Sequence, residues 1–293
     1  MEAVYERNDT RTRLDRPVAR PDVKELEAIA QELRVTIVDM IHKAGSGHAG
    51  GSLSMCEILS VLYYAELKVD PKNPRDPRRD RFILSKGHAA PVLYAILARK
   101  GFFPEEYLGT LRKIGSKLQG HPDMNKVPGI DISSGSLGMG TSFGIGTALG
   151  ARLNNLPYRT YVVTGCGELD EGQNWEAFMC AAKYRLDNLA VIVDYNRVQL
   201  DGTNDEIMPL AALEQKLSAF NWHVIECDGH SVPDLMRALK EARETKGKPA
   251  VIVASTVKGK GVSFMEHRHE WHGKEIDDES REKAMRELKG ATT

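Results

Sequence analysis

The chain has 293 residues, 41% of them apolar, enough for a sizeable core in one large α/β domain or two smaller ones. A formal net charge of −1 and a pI near 6.8 exclude a global attraction to nucleic acid or to an anionic membrane. No apolar run approaches the roughly 20 residues that span a bilayer. The N-terminus MEAVYERNDTRTRLDRP lacks an apolar signal core, so a soluble, cytoplasmic protein is expected.

Residues 1–22, polar, rich in Arg and Asp and interrupted by Pro, read as a surface arm. Apolar residues at Leu26, Ile29, Ala30, Leu33, Ile37, Met40 and Ile41 then predict a helix from Val23 to Lys43. A second helix is expected from about Ser52 to Leu67, a short strand at Arg81 to Leu84 and a helix from Ala89 to Lys100, with Pro104 opening another short helix. Leu137 to Leu153 is glycine-rich but helical in pattern, and Gly140, Gly144 and Ala148 form a small-residue stripe for close packing. Tyr161 to Thr164 and Leu189 to Val193 read as strands around a helix from Gln173 to Leu186, one right-handed crossover between neighbouring parallel strands. Strands at His223 to Cys227 and Ala250 to Thr256 flank a helix from Val232 to Thr245. This alternation, with continuously apolar strands, predicts a mostly parallel, doubly wound α/β sheet with helices on both faces. No linker divides the chain, so residues 23–293 are expected to form a single domain.

The crossover carries the chemistry. Its two strands end at one sheet edge, so the Gly165–Cys166–Gly167 turn and Asn196 should lie side by side, where ligands of doubly wound sheets bind. Glycines let backbone approach phosphate, and the following helix start adds free N–H donors, which suits a diphosphate with a divalent metal. Four histidines sit beside glycine near element ends: His48, His88, His121 and His272. Such a set provides donors, acceptors and a proton carrier for sugar hydroxyls. Lys258 and Lys260, flanked by glycines after a strand, suit an anion. Asp170 and Glu171 suit a helix N-terminus. Cys56, Cys166, Cys180 and Cys227 show no metal-ligand spacing and read as reduced thiols. GSLGMG (Gly135 to Gly140) fails as a dinucleotide fingerprint, because Phe143 takes the third glycine position.

GCGELDEGQNWEA followed by LDNLAVIVDYN resembles the thiamine-diphosphate fingerprint in its transketolase form, which opens Gly-Asp-Gly and closes with Asn. KAGSGHAGGSLS, RDRFILSKGHAAPVLYA, LQGHPD, EWHGK and VKGKGVSF are similar to that family's histidine and lysine loops, and GSLGMG to its glycine turn beside the thiazolium ring. The resemblance implies that His48, His88, His121 and His272 contact the sugars and shuttle protons. It makes Glu171 a buried carboxylate in a proton network at a subunit interface. Leu118, Gly138, Gly165, Gly167, Glu168, Asn196 and Lys258 would hold the cofactor. Cys166, Asn196 and the Val198 carbonyl would face Mg²⁺, with Cys166 standing where the family has its metal-binding Asp. Ala49 and Met139 depart from the family's usual Pro and Gln.

The resemblance covers the chain from about residue 23 but only the N-terminal part of a full-length transketolase. It implies the diphosphate-binding subunit of a split enzyme that moves a two-carbon ketol unit from a ketose to an aldose. The partner would be a C-terminal subunit with the pyrimidine-binding domain and its activating glutamate, in a heterotetramer acting on sugars or sugar phosphates. Two alternatives stay open on the sequence: a specialised enzyme with another two-carbon or acyl donor, and a cofactor-free, non-catalytic subunit.

Overall fold

Five short apolar runs become strands: β1 Arg81–Leu84, β2 Thr160–Gly165, β3 Leu189–Tyr195, β4 His223–Asp228 and β5 Ala250–Ser255. They form one parallel sheet in the order β1-β2-β3-β5-β4, in the computed structural model of the protein, which describes residues 21–290. The arm expected over residues 1–22 lies, except for its last two residues, outside the described residues. β3 is buried along nearly its whole length, as a strand covered on both faces must be, whereas the edge strand β4 alternates buried and exposed residues.

Alternate strand residues enter two separate cores. Phe82, Leu84, Tyr161, Val163, Ile192 and Ile252 face one of them, with α1 (Val23–Ala44), α2 (Ala49–Leu53), α3 (Cys56–Val61), α4 (Ala90–Lys100), α9 (Val232–Glu244) and α10 (Asp278–Leu288). Ile83, Val162, Val191, Val193, Val251 and Val253 face the other, with α5 (Met139–Leu153), α6 (Gly172–Lys183) and α8 (Leu213–Ala219). The predicted doubly wound α/β architecture is therefore present. A short helix, α7 (Asn204–Ile207), follows β3.

The small-residue stripe works as anticipated: a Cβ on Gly140 would lie 2.3 Å from Ser85 Oγ, and one on Gly144 would lie 2.5 Å from a Val162 methyl. One expectation fails. The helix expected over residues 52–67 is broken into α2, α3 and a π-helical turn at Leu62–Glu66. The break falls at Ser54 and Met55, where Ser54 Oγ donates to the buried carboxylate of Asp194 at 2.7 Å. A long-range bond overrides helical periodicity there. Helix α10, not anticipated, turns mostly charged residues outward and buries only Ala284 and Leu288.

Because all strands are parallel, all five C-terminal ends share one edge. The segments that leave it are Ser85 to His88, Cys166–Gly167, Asn196 to Gln199, Gly229–His230 and Thr256 to Lys258. Every candidate of the crossover reading lies on this edge.

Candidate active site

Cys166 and Asn196 stand side by side, Cys166 Sγ lying 3.7 Å from Asn196 Oδ1. Gly165 and Gly167 flank the turn, and a Cβ on Gly167 would lie 2.9 Å from the Gln199 side chain, so glycine keeps the wall close. A cleft of about 190 Å³ opens here, bordered by Gly51, Lys86, His88, Leu137, the Cys166 turn, Asn196, Val198, Lys258 and His272. Larger hollows lie elsewhere, including one of about 640 Å³ between α1 and α10, but its polar lining is ordinary surface charge.

Two buried carboxylates frame the cleft. Asp194 is fully buried and accepts from Ser54 Oγ at 2.7 Å, Lys86 Nζ at 2.5 Å, Asn196 Nδ2 at 3.0 Å and Thr256 Oγ1. Burial alone would raise its pKa, but the charge and hydrogen bond of Lys86 hold it below the usual carboxylate range. Glu168 accepts from Ser85 Oγ at 2.5 Å and from the backbone N–H groups of Gly138 and Gly165 at 2.9 and 3.0 Å. Burial raises its pKa despite these donors. Its oxygens are turned to the protein, so Glu168 fixes the loops at Ser85, Gly138 and Gly165 to one another.

Lys258 is 2% exposed and pairs with no carboxylate among the described residues. Its ammonium donates to the carbonyls of Val198 and Gln199 at 3.2 and 2.6 Å and lies 3.1 Å from His272 Nδ1. Burial, followed by the charge of Lys86, lowers its pKa to about 8. Two lysines crowded beside a glycine turn favour a bound polyanion, which relieves their repulsion.

His48, His88 and His272 form a cluster with ring centroids 4.9–5.3 Å apart. Arg112 Nη2 lies 3.2 Å from His48 Nδ1. A guanidinium has no lone pair to offer, so that nitrogen accepts and the ring proton sits on Nε2. Lys258 places the His272 proton on Nε2 in the same way. Burial, then Arg112, pulls His48 down to about 4, and burial, then Lys258, pulls His272 down to about 3. Burial and Lys86 hold His88 well below the usual value. His121 makes no ring contact with this trio; the residue is largely exposed, but its ring lies against Gly135, and that partial desolvation, followed by the charge of Arg112, lowers its pKa.

Several sequence expectations need correction. Leu118 does not border the cleft; it is buried beside a separate hollow of about 690 Å³. Leu137, inside the glycine turn, borders the cleft instead, as does Leu200 after β3. Gly138, with φ 84°, caps α5 and lies against Glu171, which is exposed on the surface of this chain, where the expected subunit interface would have to cover it. Cys166 is 1% exposed, burial raises its pKa, and its thiol lies 3.6 Å from Asn204 Oδ1, a soft donor where Mg²⁺ favours oxygen. Lys86 and Arg112 were not singled out in the sequence. Lys86 is recognisable afterwards as the lysine between a strand end and Gly-His, while Arg112 is marked only by its positive φ of 58°.

The site fits the diphosphate of thiamine diphosphate through its glycine cradle and two buried lysines. It fits Mg²⁺ incompletely, because Asn196 Oδ1 and the Val198 carbonyl are neutral and both carboxylates are already engaged. Asn204 Nδ2 is a buried donor with no partner among the described residues, next to the thiol where an anionic oxygen is missing.

The histidine trio has a testable pH signature. Free imidazole titrates near 6.5, so between that value and the lowered native values the unfolded chain binds protons that the folded chain does not. These rings therefore contribute stability that is complete above about pH 6.5 and is lost on acidification toward the folded values. NMR titration should show all three rings neutral down to about pH 5, and a trio ring titrating near 6.5 would contradict the cluster's electrostatics.

Residues 26–291 match the family model described as "Transketolase, thiamine diphosphate binding domain". The chain is 46% identical over 264 residues to the 6-deoxy-6-sulfo-D-fructose transketolase subunit SqwG of Clostridium sp. (strain MSTE9), covering 90% of this chain and 96% of that protein. It is 41% identical to an apulose-4-phosphate transketolase subunit of Phocaeicola vulgatus, covering 91% and 94%. The transketolase structure from Campylobacter jejuni superposes with a TM-score of 0.87 at 32% identity, covering 92% of this chain and 43% of that one. The chain belongs to the transketolase family, residues 26–291 being its thiamine diphosphate binding domain, and is a thiamine-diphosphate-dependent transferase of that type.

Proposed function

We propose that this chain is the diphosphate-binding subunit of a two-component transketolase that moves a two-carbon ketol unit from a ketose to an aldose. The observation that carries this reading is the pairing of a lysine-lined glycine cleft with three imidazoles held neutral beside it. Bound thiamine diphosphate supplies the nucleophilic carbon and the electron sink. Gly165 and Gly167 let the backbone approach the diphosphate, and Lys86, Lys258 and Asn196 meet its charge. His48 and His272, each with its proton on Nε2, donate to sugar oxygens. Arg112 sets the His48 tautomer, and Lys258 that of His272. His88 completes the trio, and His121 approaches from the Arg112 side. Sugars with a terminal sulfonate or phosphate, as those two relatives' names specify, are the substrate class to test first.

The partner we propose is a C-terminal subunit carrying the pyrimidine-binding domain, assembled with this chain as a heterotetramer. Its docking face is the outer side of α5, where Met139 and Phe143, one turn apart, are 40% and 48% exposed next to Gly138 and the exposed Glu171. Docking there would bury Glu171, as the family reading requires. Purified alone, the chain should show no ketol transfer, with activity appearing on addition of the partner subunit. Sustained turnover by the isolated chain would refute the split-site reading.

We also propose Mg²⁺ as counter-ion, with Asn196 Oδ1 and the Val198 carbonyl as protein ligands and the diphosphate supplying the anionic oxygens. Replacing the neutral thiol by carboxylate restores an oxygen ligand and gives Asn204 Nδ2 an acceptor. Cys166→Asp should tighten Mg²⁺-dependent cofactor binding by about tenfold, roughly 1.4 kcal/mol, in calorimetric titration with the partner present. Unchanged or weaker binding would mean that the thiol is an adapted part of the corner.

A further inference from the structure

Lys258 is held by neutral groups only, and burial lowers its pKa, so no strong attraction within the cleft keeps its ammonium in place. Its loop turns through left-handed glycines on the C-terminal side, Gly259 at φ 79° and Gly261 at φ 91°. A Cβ on Gly259 would lie 2.3 Å from the Met265 carbonyl oxygen. Something outside the cleft has to fix this loop.

Two buried ionisable residues and a half-buried histidine, none of them lining the cleft, converge on it. Arg34 on α1 is 4% exposed and Glu57 on α3 is 7% exposed. Arg34 Nη2 meets Glu57 Oε1 at 2.5 Å, and Glu57 Oε2 lies 3.0 Å from Nδ1 of His230, which follows β4. The other His230 nitrogen, Nε2, accepts the backbone N–H of Val257 at 2.8 Å. Arg34 Nε donates to the carbonyl of Lys260 at 3.1 Å. The backbone is thus gripped one residue before Lys258 and two residues after it, by the two ends of a single network.

The protonation pattern follows from the donors. A backbone N–H can only donate, so His230 Nε2 is unprotonated and the ring proton lies on Nδ1, directed at Glu57. Burial would raise the Glu57 pKa, but the hydrogen bond from His230 and the charge of Arg34 hold it below the usual range. Burying such a network brings little net stability compared with apolar packing of the same volume. Its value lies in fixing geometry.

We propose that Arg34, Glu57 and His230 are positioning residues for Lys258, setting affinity for the cofactor diphosphate from outside the cleft. The proposal rests on the reading of Lys258 as a diphosphate contact. His230→Phe removes the acceptor for Val257 N–H while keeping a ring, and His230→Gln places an amide oxygen near the position of Nε2. Thiamine diphosphate is titrated with Mg²⁺ into the chain together with its partner subunit, for these variants, for Lys258→Met and for the His230→Phe/Lys258→Met pair.

Lys258→Met and His230→Phe should each weaken binding by about tenfold or more, and His230→Gln by less than about threefold. The double variant should bind no more weakly than Lys258→Met alone, because the histidine acts through the lysine. Wild-type affinity in His230→Phe, failure of His230→Gln to rescue, or losses that multiply in the double variant would overturn the proposal. Wild-type affinity in Lys258→Met would instead sink the reading of Lys258, and this proposal with it. If His230→Phe does not fold, the same cycle with the isosteric Glu57→Gln decides the question. Failure of both to fold would mark the network as purely structural and overturn the proposal.

Discussion

The carboxylate of Asp194 is the tie on which the site depends. Fully buried at the end of β3, it joins the α2–α3 break through Ser54, the end of β1 through Lys86, the residue after β3 through Asn196, and the end of β5 through Thr256. A charge so deeply buried is tolerable only when every oxygen is engaged, and removing one partner from such a pair costs about 3–5 kcal/mol. Local helical preference yields to it at Ser54. Glu168 does the same for the neighbouring walls, binding Ser85, Gly138 and Gly165 together. Between them the two carboxylates fix the relative positions of the loops that border the cleft.

Parallel pairing explains why so few residues suffice. Right after the last residues of β1, β2, β3 and β5 come the residues of the cleft, while β4 contributes His230 to its support. The positive side chains nearest the turn are both lysines, one paired with Asp194 and the other with neutral groups alone. That asymmetry makes Lys258 the more responsive of the two to an arriving anion, since burial has already lowered its pKa to about 8. The histidine trio depends on the same lysines. Beyond burial, Lys86 depresses His88, while Lys258 depresses His272 and directs its proton, so the glycine turn and the histidine cluster share one electrostatic field.

Much of this was legible in the sequence because it follows from local rules. Short β-branched runs such as LAVIVDY, bounded by turn residues, read as strands covered on both faces, and glycine turns at such ends mark the functional edge. Three of the four histidines singled out by their glycine neighbours do meet. What escaped depends on contacts between distant segments. Nothing in the order of residues around Ser54 announces Asp194, 140 positions away. Leu118 and Leu137 both sit beside glycine motifs, and only the fold shows which one turns to the cleft. Lys86 looked like part of a histidine loop, and Arg112 reaches His48 across 64 positions. Cys166 marks a departure from the family pattern in the sequence, but the structure is needed to show its thiol buried and enclosed by two asparagine oxygens.

The central claim is that the cleft at the C-terminal edge of this sheet receives the diphosphate of thiamine diphosphate. A crystal structure of the chain bound to the cofactor tests it directly. The account predicts both phosphates against the Gly165–Gly167 turn, within hydrogen-bonding distance of Lys86 and Lys258, and the thiazolium ring beside Leu137 and the histidine trio. Diphosphate bound away from both lysines, or a cofactor seated in another hollow of the chain, would contradict it.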